Sequence, residues 1–116
     1  MLIQTIETRP TTEGVASAPA VDRLIEGNPL FTSWLQAQAK GNVEVGVWEA
    51  TPGTYKSIKG EAFEFCHILE GVAEITPDGS DQTATYRAGD NFVLNPGFTG
   101  RWKTIETIRK IFVVVR

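Results

Sequence analysis

The side chains with the most chemistry in this 116-residue chain fall on one short segment, Phe63-Glu64-Phe65-Cys66-His67-Ile68-Leu69, which holds its single cysteine and single histidine. An aromatic and aliphatic run of this length reads as a strand, and strand side chains alternate between two faces. Glu64, Cys66 and Ile68 then share one face, and Phe63, Phe65, His67 and Leu69 share the other. A transition metal needs several imidazole, thiolate or carboxylate ligands converging on one point. Glu64 with a histidine on the opposite face does not supply them, so no metal centre and no cofactor are expected. His67 reads as a strand residue packed at an interface. Cys66 reads as a buried structural thiol, because a nucleophile needs a neighbouring base or cation that the spacing does not identify.

Composition narrows the partners. The chain carries 11 basic and 14 acidic residues, and this mild acidity argues against nucleic acid or an anionic membrane, either of which calls for a basic face. Arg101-Trp102-Lys103 is the nearest approach to a basic-aromatic patch, but alternation along a strand separates its members. One cysteine permits no intrachain disulfide and fits a reducing compartment. The N-terminus shows no basic segment followed by an apolar stretch, and the longest apolar run, Ile111 to Val115, is far too short to span a membrane. A soluble, cytoplasmic protein is expected.

The elements that must position these residues are short strands. Residues 8–20, rich in Thr, Pro, Ala and Ser, lack apolar periodicity, so 1–21 is read as an N-terminal arm and 22–116 as a single barrel domain. Val21 to Gly27 predicts one helical turn stopped by glycine. Leu30 to Lys40 stays open: Asn28-Pro29 has the form of a helix start, whereas Phe31, Ser33 and Leu35 alternate as in a strand. From Val43 on, runs at 43–50, 63–69, 72–76, 82–86, 91–94, 98–104 and 108–115 are separated by turn residues such as Pro77-Asp78-Gly79-Ser80. That spacing predicts an all-β sandwich or barrel. Both faces of 63–69 are largely apolar, so the outer one needs a cover. A homodimer is the expected one.

The ordered set Thr51-Pro52-Gly53, Glu64 to Gly71, Ala88-Gly89-Asp90 and Pro96-Gly97-Phe98-Thr99-Gly100-Arg101-Trp102 resembles the cupin superfamily. Within it the chain looks most like the small single-barrel proteins grouped with the (S)-ureidoglycine aminohydrolase cupin domain, to which the ethanolamine-utilisation cupins are related. Val45 to Gly53 and Arg109 to Val113 resemble that group's opening and closing strands. The resemblance implies a double-stranded β-helix, a jelly-roll-like barrel, with Glu64 facing inward. It also implies a metal held by that glutamate and three histidines. Here the first two histidine positions fall on Ser57 and Lys59, or on Ile58 and Gly60, and the third falls on Gly100.

With Glu64 inside and no metal beside it, a carboxylate in an apolar barrel needs a cation. Lys110 is the favoured partner, because Ile108, Lys110, Phe112 and Val114 share a face. Lys59 is the alternative, in a loop open to solvent. Glu49 is a candidate second carboxylate, and Trp48, Tyr55 and Trp102 are candidate walls for a small polar ligand. Glu64 and a lysine form either a structural ion pair or the group that orients or converts such a ligand. A metal-dependent aminohydrolase and a noncatalytic dimeric module are the competing readings.

Overall fold

A computed structural model of the chain describes residues 2–116, and every regular element among them is a β-strand. In chain order these are β1 (Val15–Ser17), β2 (Leu24–Gly27), β3 (Phe31–Ala39), β4 (Val43–Ala50), β5 (Gly53–Ile58), β6 (Phe63–Pro77), β7 (Ala84–Arg87), β8 (Asn91–Leu94) and β9 (Thr99–Val115). All pairings are antiparallel.

Two long strands organise the rest. β6 and β9 run for 15 and 17 residues, where a strand of ~5–6 is ordinary, and each serves two sheets. The first half of β6 pairs with the second half of β9, from Phe63↔Val115 to Ile68↔Lys110; their other halves pair from Ala73↔Thr104 to Pro77↔Gly100. β4, β3 and β1 extend the first sheet from β9, and β8 closes its edge at β6. β5 and β2 extend the second sheet, with β7 at its far edge. The sheets curl into a jelly-roll barrel around one interior. The strands turn between sheets through register shifts from Ile68 to Ala73. Gly71 sits there at φ 90°, and a Cβ on it would lie 2.6 Å from the Cα of Ile108, so only glycine passes.

Three local expectations are corrected or settled. Phe31–Ala39 is a strand, because β4 offers it a full ladder from Phe31↔Ala50 to Ala39↔Val43. Pro29, rather than opening a helix, is fully buried against Gly53. Val21 to Gly27 is a turn only at its start: Arg23 N–H at 2.8 Å and Leu24 N–H at 3.1 Å both bond the Ala20 carbonyl, and Leu24–Gly27 then adds as a strand to the free edge of β5. The runs at 98–104 and 108–115 are one strand, β9. Within the arm, Val15–Ser17 forms a short exposed strand on the edge of β3.

Ala50, Ile68, Ala73, Ile75, Leu94, Trp102 and Ile108 form the buried core, with Phe31, Trp48, Tyr55, Tyr86, Phe92 and Phe98 packed on it. Trp102 is central, its ring 5.5 Å from Trp48 and 5.9 Å from Phe92, while Arg101 and Lys103 on either side point to solvent. On the outer surface the arm is tied to β3 and to Arg109 of β9. The Arg109 guanidinium lies 5.0 Å over the Trp34 ring and donates to the Thr8 carbonyl at 3.0 Å, and Trp34 donates to the Thr12 carbonyl at 2.9 Å. Val47, opposite Trp34 and Ile111 in the ladders, is fully buried. Among the described residues no helix is long and apolar enough to cross a membrane.

The arm's hydrogen bonds leave the Phe63, Phe65 and Val93 part of the outer face unclaimed, and Val93 remains 40% exposed. A second copy of the chain is the expected cover. Light scattering at micromolar concentration is expected to give twice the chain mass, and Phe65→Lys to give a monomer. A monodisperse wild-type monomer would refute this.

Candidate functional site

At one end of the barrel the interior is not filled. The sheets there enclose an open-mouthed cavity of about 360 Å³. Alternate positions supply its walls: Phe31, Ser33 and Leu35 from β3, Glu44 and Trp48 from β4, Tyr55 from β5, and Lys110, Phe112 and Val114 from β9. Glu64, near the start of β6, is buried in this wall at 4% exposure. Its Oε1 accepts a hydrogen bond from Lys59 Nζ at 2.6 Å, and its Oε2 accepts from Lys110 Nζ at 2.7 Å and from Cys66 Sγ at 3.3 Å.

Register places each partner. Lys110 is opposite Ile68 on one side and Trp48 on the other. Its ammonium therefore lies over indole faces, 4.3 Å from the Trp48 ring and 4.6 Å from the Trp102 ring, a double cation–π contact. Lys59 follows β5 in a tight turn, with the Ala62 N–H bonded to the Lys59 carbonyl at 3.0 Å. That turn is tied to the next loop by Lys59 N–H to the Phe98 carbonyl at 3.0 Å and Gly97 N–H to the Gly60 carbonyl at 2.7 Å. Pinned at both ends, the turn delivers the lysine side chain inward.

The charges reinforce one another. Burial pushes the Glu64 carboxyl upward, but Lys110 and Lys59 outweigh it and hold the group at about 2. Burial pushes the Cys66 thiol up to about 12, with Lys110 opposing and Glu64 reinforcing the rise. Burial works against the Lys110 ammonium. Cys66, the Glu64 carboxylate and Tyr55 outweigh it and hold the lysine charged, above its ordinary value. Burial also raises the Tyr55 hydroxyl. At neutral pH the group is thus two ammoniums, one carboxylate and two neutral donors.

Of the residues singled out in the sequence, Glu64, Lys110, Lys59, Tyr55 and Trp48 line the cavity. Cys66 and Trp102 do not; they lie behind its wall, fully or almost fully buried. Glu49 is a correction. It points out of the barrel and binds Arg109 at 2.7 Å, because Trp48 and Glu49 are consecutive strand residues and only one can face inward. Lys59 is a second correction: it is not a solvated alternative to Lys110 but shares the carboxylate with it, its side chain 21% exposed. Sequence reasoning missed Phe31, Ser33, Leu35 and Glu44. The alternation of Phe31, Ser33 and Leu35 was the available signal, and Glu44 shares the parity of Trp48.

The donor set does not fit the metal that a cupin barrel commonly holds. Both Glu64 oxygens already accept from cations or a thiol, and two ammoniums sit where further ligands would be needed. Among the described residues no three His, Cys, Asp or Glu side chains converge. Ser57 is buried opposite Gly100 in the β5–β9 ladder. A Cβ on Gly100 would lie 2.6 Å from the Thr76 carbonyl oxygen and 2.7 Å from the Phe98 ring, leaving no room for an imidazole.

A jelly-roll barrel with an inward glutamate on its sixth strand defines a small cupin. The chain belongs to the EutQ-like cupin domain family, which it matches over residues 37–112. Its fold is similar to that of a Pseudomonas syringae protein of the DUF861 family, with a TM-score of 0.78 and 20% identity over 95% of this chain. The chain spans 46% of that protein's length. It is also similar to the Clostridium difficile EutQ protein, with a TM-score of 0.66 and 16% identity over 91% of this chain and 97% of the other. A Thermotoga maritima protein of the DUF861 family aligns at 29% identity over 57% of this chain and 73% of its own, with a TM-score of 0.53. No curated protein sequence matches the chain.

Three measurements check the site. Thiol-reactive probes at neutral pH are expected to leave Cys66 unmodified in the folded protein and to label it on unfolding; rapid native labelling would contradict the buried, un-ionised thiol. Glu64→Gln strands two cations and is expected to destabilise by about 3–5 kcal/mol. Lys110→Met leaves a balanced pair and should cost less, and Lys59→Met, partly solvated, about 1 kcal/mol or less; denaturant melts that reverse this order would refute the shared carboxylate. In acid, a carboxyl held at about 2 rather than 4.5 contributes stability that is complete above pH 4.5 and is lost as pH falls toward 2. That slope should be absent from Glu64→Gln.

Proposed function

We propose that this protein binds a small polar molecule in the barrel cavity, without a transition metal. The observation that carries the reading is the cavity itself: an open space at the lower end of the ~300–1,000 Å³ usual for ligand sites, where aromatic and aliphatic side chains share the wall with the Glu64–lysine group, Ser33 and the Glu44–Arg116 pair. A barrel serving only as a dimerisation module has no need of such a space.

Binding is favoured over conversion by the states of the buried groups. A general base works best with a pKa near the operating pH, and Glu64 is held at about 2. Lys110 stays charged and is no nucleophile. Cys66 is un-ionised and lies behind the wall. None of the three is primed for chemistry at neutral pH, whereas Glu64 and Lys110, fixed on each other in the wall, give the cavity a charged group of set orientation.

The three tryptophans provide the test. Trp48 lines the cavity, while Trp34 lies on the outer surface with its indole N–H on Thr12 and serves as an internal reference. Small polar molecules that bind are expected to shift the Trp48 indole signal in NMR spectra and leave Trp34 in place. Leu35→Trp, which adds bulk at the half-exposed rim, should abolish that binding without lowering the melting temperature. Binders indifferent to Leu35→Trp would place the ligand elsewhere and overturn the reading.

A further inference from the structure

The cavity has an unbalanced charge. Lys59 and Lys110 face one carboxylate, Glu64, and Cys66 and Tyr55 are neutral, so one positive charge remains. At the rim Glu44 and Arg116 cancel each other at 3.2 Å. The surplus is not general basicity, since the whole chain carries a net charge of −3. An ammonium largely removed from water is costly unless acceptors surround it.

The two lysines differ in what surrounds them. Lys110 is 5% exposed and enclosed by the Glu64 carboxylate and two indole faces. Lys59 has three N–H donors and one acceptor, Glu64 Oε1, among the described residues. Lys59 lines the cavity. Tyr55 lines it too, and its hydroxyl makes no hydrogen bond among the described residues. Burial keeps that hydroxyl protonated, so it has a proton to donate. Phe31, Leu35, Ile58 and Phe112 supply the apolar part of the wall, and Ser33 and the Glu44–Arg116 pair line the remainder.

Resting on the binding reading above, we propose that the occupant is a small organic monoanion, a carboxylate on a short apolar body. Its carboxylate accepts from the Lys59 ammonium and the Tyr55 hydroxyl, and its hydrocarbon part lies on the Phe31, Leu35 and Phe112 wall. A neutral polar molecule would fill the space and leave the surplus charge unmet. A cation would add to it. Glu64 stays on both lysines and keeps the second ammonium neutralised, so one negative charge completes the site.

Three probes of one shape and different charge test this at neutral pH: isovalerate, isovaleramide and isoamylamine, each titrated to about 10 mM with Trp48 as reporter and Trp34 as reference. Isovalerate is expected to bind at least about tenfold more tightly than isovaleramide, and isoamylamine to bind worst. Lys59→Gln, which leaves the balanced Glu64–Lys110 pair in place, should remove that preference and bring isovalerate to within about twofold of the amide, whereas Lys59→Arg should restore it. Tyr55→Phe should weaken isovalerate more than isovaleramide. Binding of the amide or the amine as tightly as isovalerate at Trp48 overturns this inference and leaves the cavity a binding site. Isovalerate binding unchanged in Lys59→Gln also overturns it. No shift of Trp48 with any of the three overturns the inference and the binding reading together.

Discussion

The Glu64 carboxylate governs how this barrel is built. A single ionised oxygen pair inside a closed β-structure loses several kcal/mol of hydration after relaxation, and only opposite charge and hydrogen bonds return it. Both oxygens are satisfied here at 2.6–2.7 Å by ammoniums from two distant parts of the chain, the last strand and the turn after β5. Bringing them together requires that β6 and β9 run side by side and that the 59–62 turn be tied to the 97–98 loop. The charged group and the topology are therefore one arrangement.

That group is not where most of the stability resides. Buried ion groups are often replaceable by apolar residues at no net cost, although removing one member is severe. The aromatic cluster around Trp102 and the aliphatic core of Ile68, Ile75 and Ile108 supply the burial that folds the barrel. A polar triad beside an open cavity, with the apolar core elsewhere, separates the part that holds the fold from the part that meets a ligand. Within the triad the indole faces of Trp48 and Trp102 join the two parts, packing on the core and cradling the Lys110 ammonium at once.

Much of this was legible in the residues. Alternation along Phe63–Leu69 and Ile108–Val114 separates inward from outward side chains wherever one face is distinctive, and it assigns Glu64 and Lys110 to the same interior once the barrel is recognised. It fails where the segment is short or both faces look alike. Val43–Ala50 carries valines on one face and a tryptophan on the other, so parity alone does not say which side holds Glu49; the arm and Arg109 make the valine face a buried one from outside. Lys59 was a candidate, but its inward direction escaped for a different reason. Its direction is set by a turn with Gly60 at φ 59° and by bonds to residues nearly forty positions away, which no local pattern encodes. The Leu24–Gly27 strand likewise exists because an edge of β5 was available, a tertiary fact that overrides local helical tendency.

The β4–β9 ladder shows how such charges fix a register. Its rungs pair Trp48 with Lys110 and, one residue on, Glu49 with Arg109. The first rung points into the barrel and the second out of it, so Lys110 meets Glu64 and two indoles while Arg109 meets Glu49 and Trp34. A slip of β9 by one residue would exchange every side chain between faces. The bulkier guanidinium of Arg109 would then be driven into the space shaped for an ammonium. Lys110 would be left outside against Glu49, unable to match the bidentate reach and ring stacking of arginine, and Glu64 would lose its Lys110 contact. Hydrophobic burial alone resists such a slip weakly here, because both faces of β9 carry Ile, Phe or Val. The unlike cations on consecutive residues, each complementary to only one side of the sheet, make the native alignment unique.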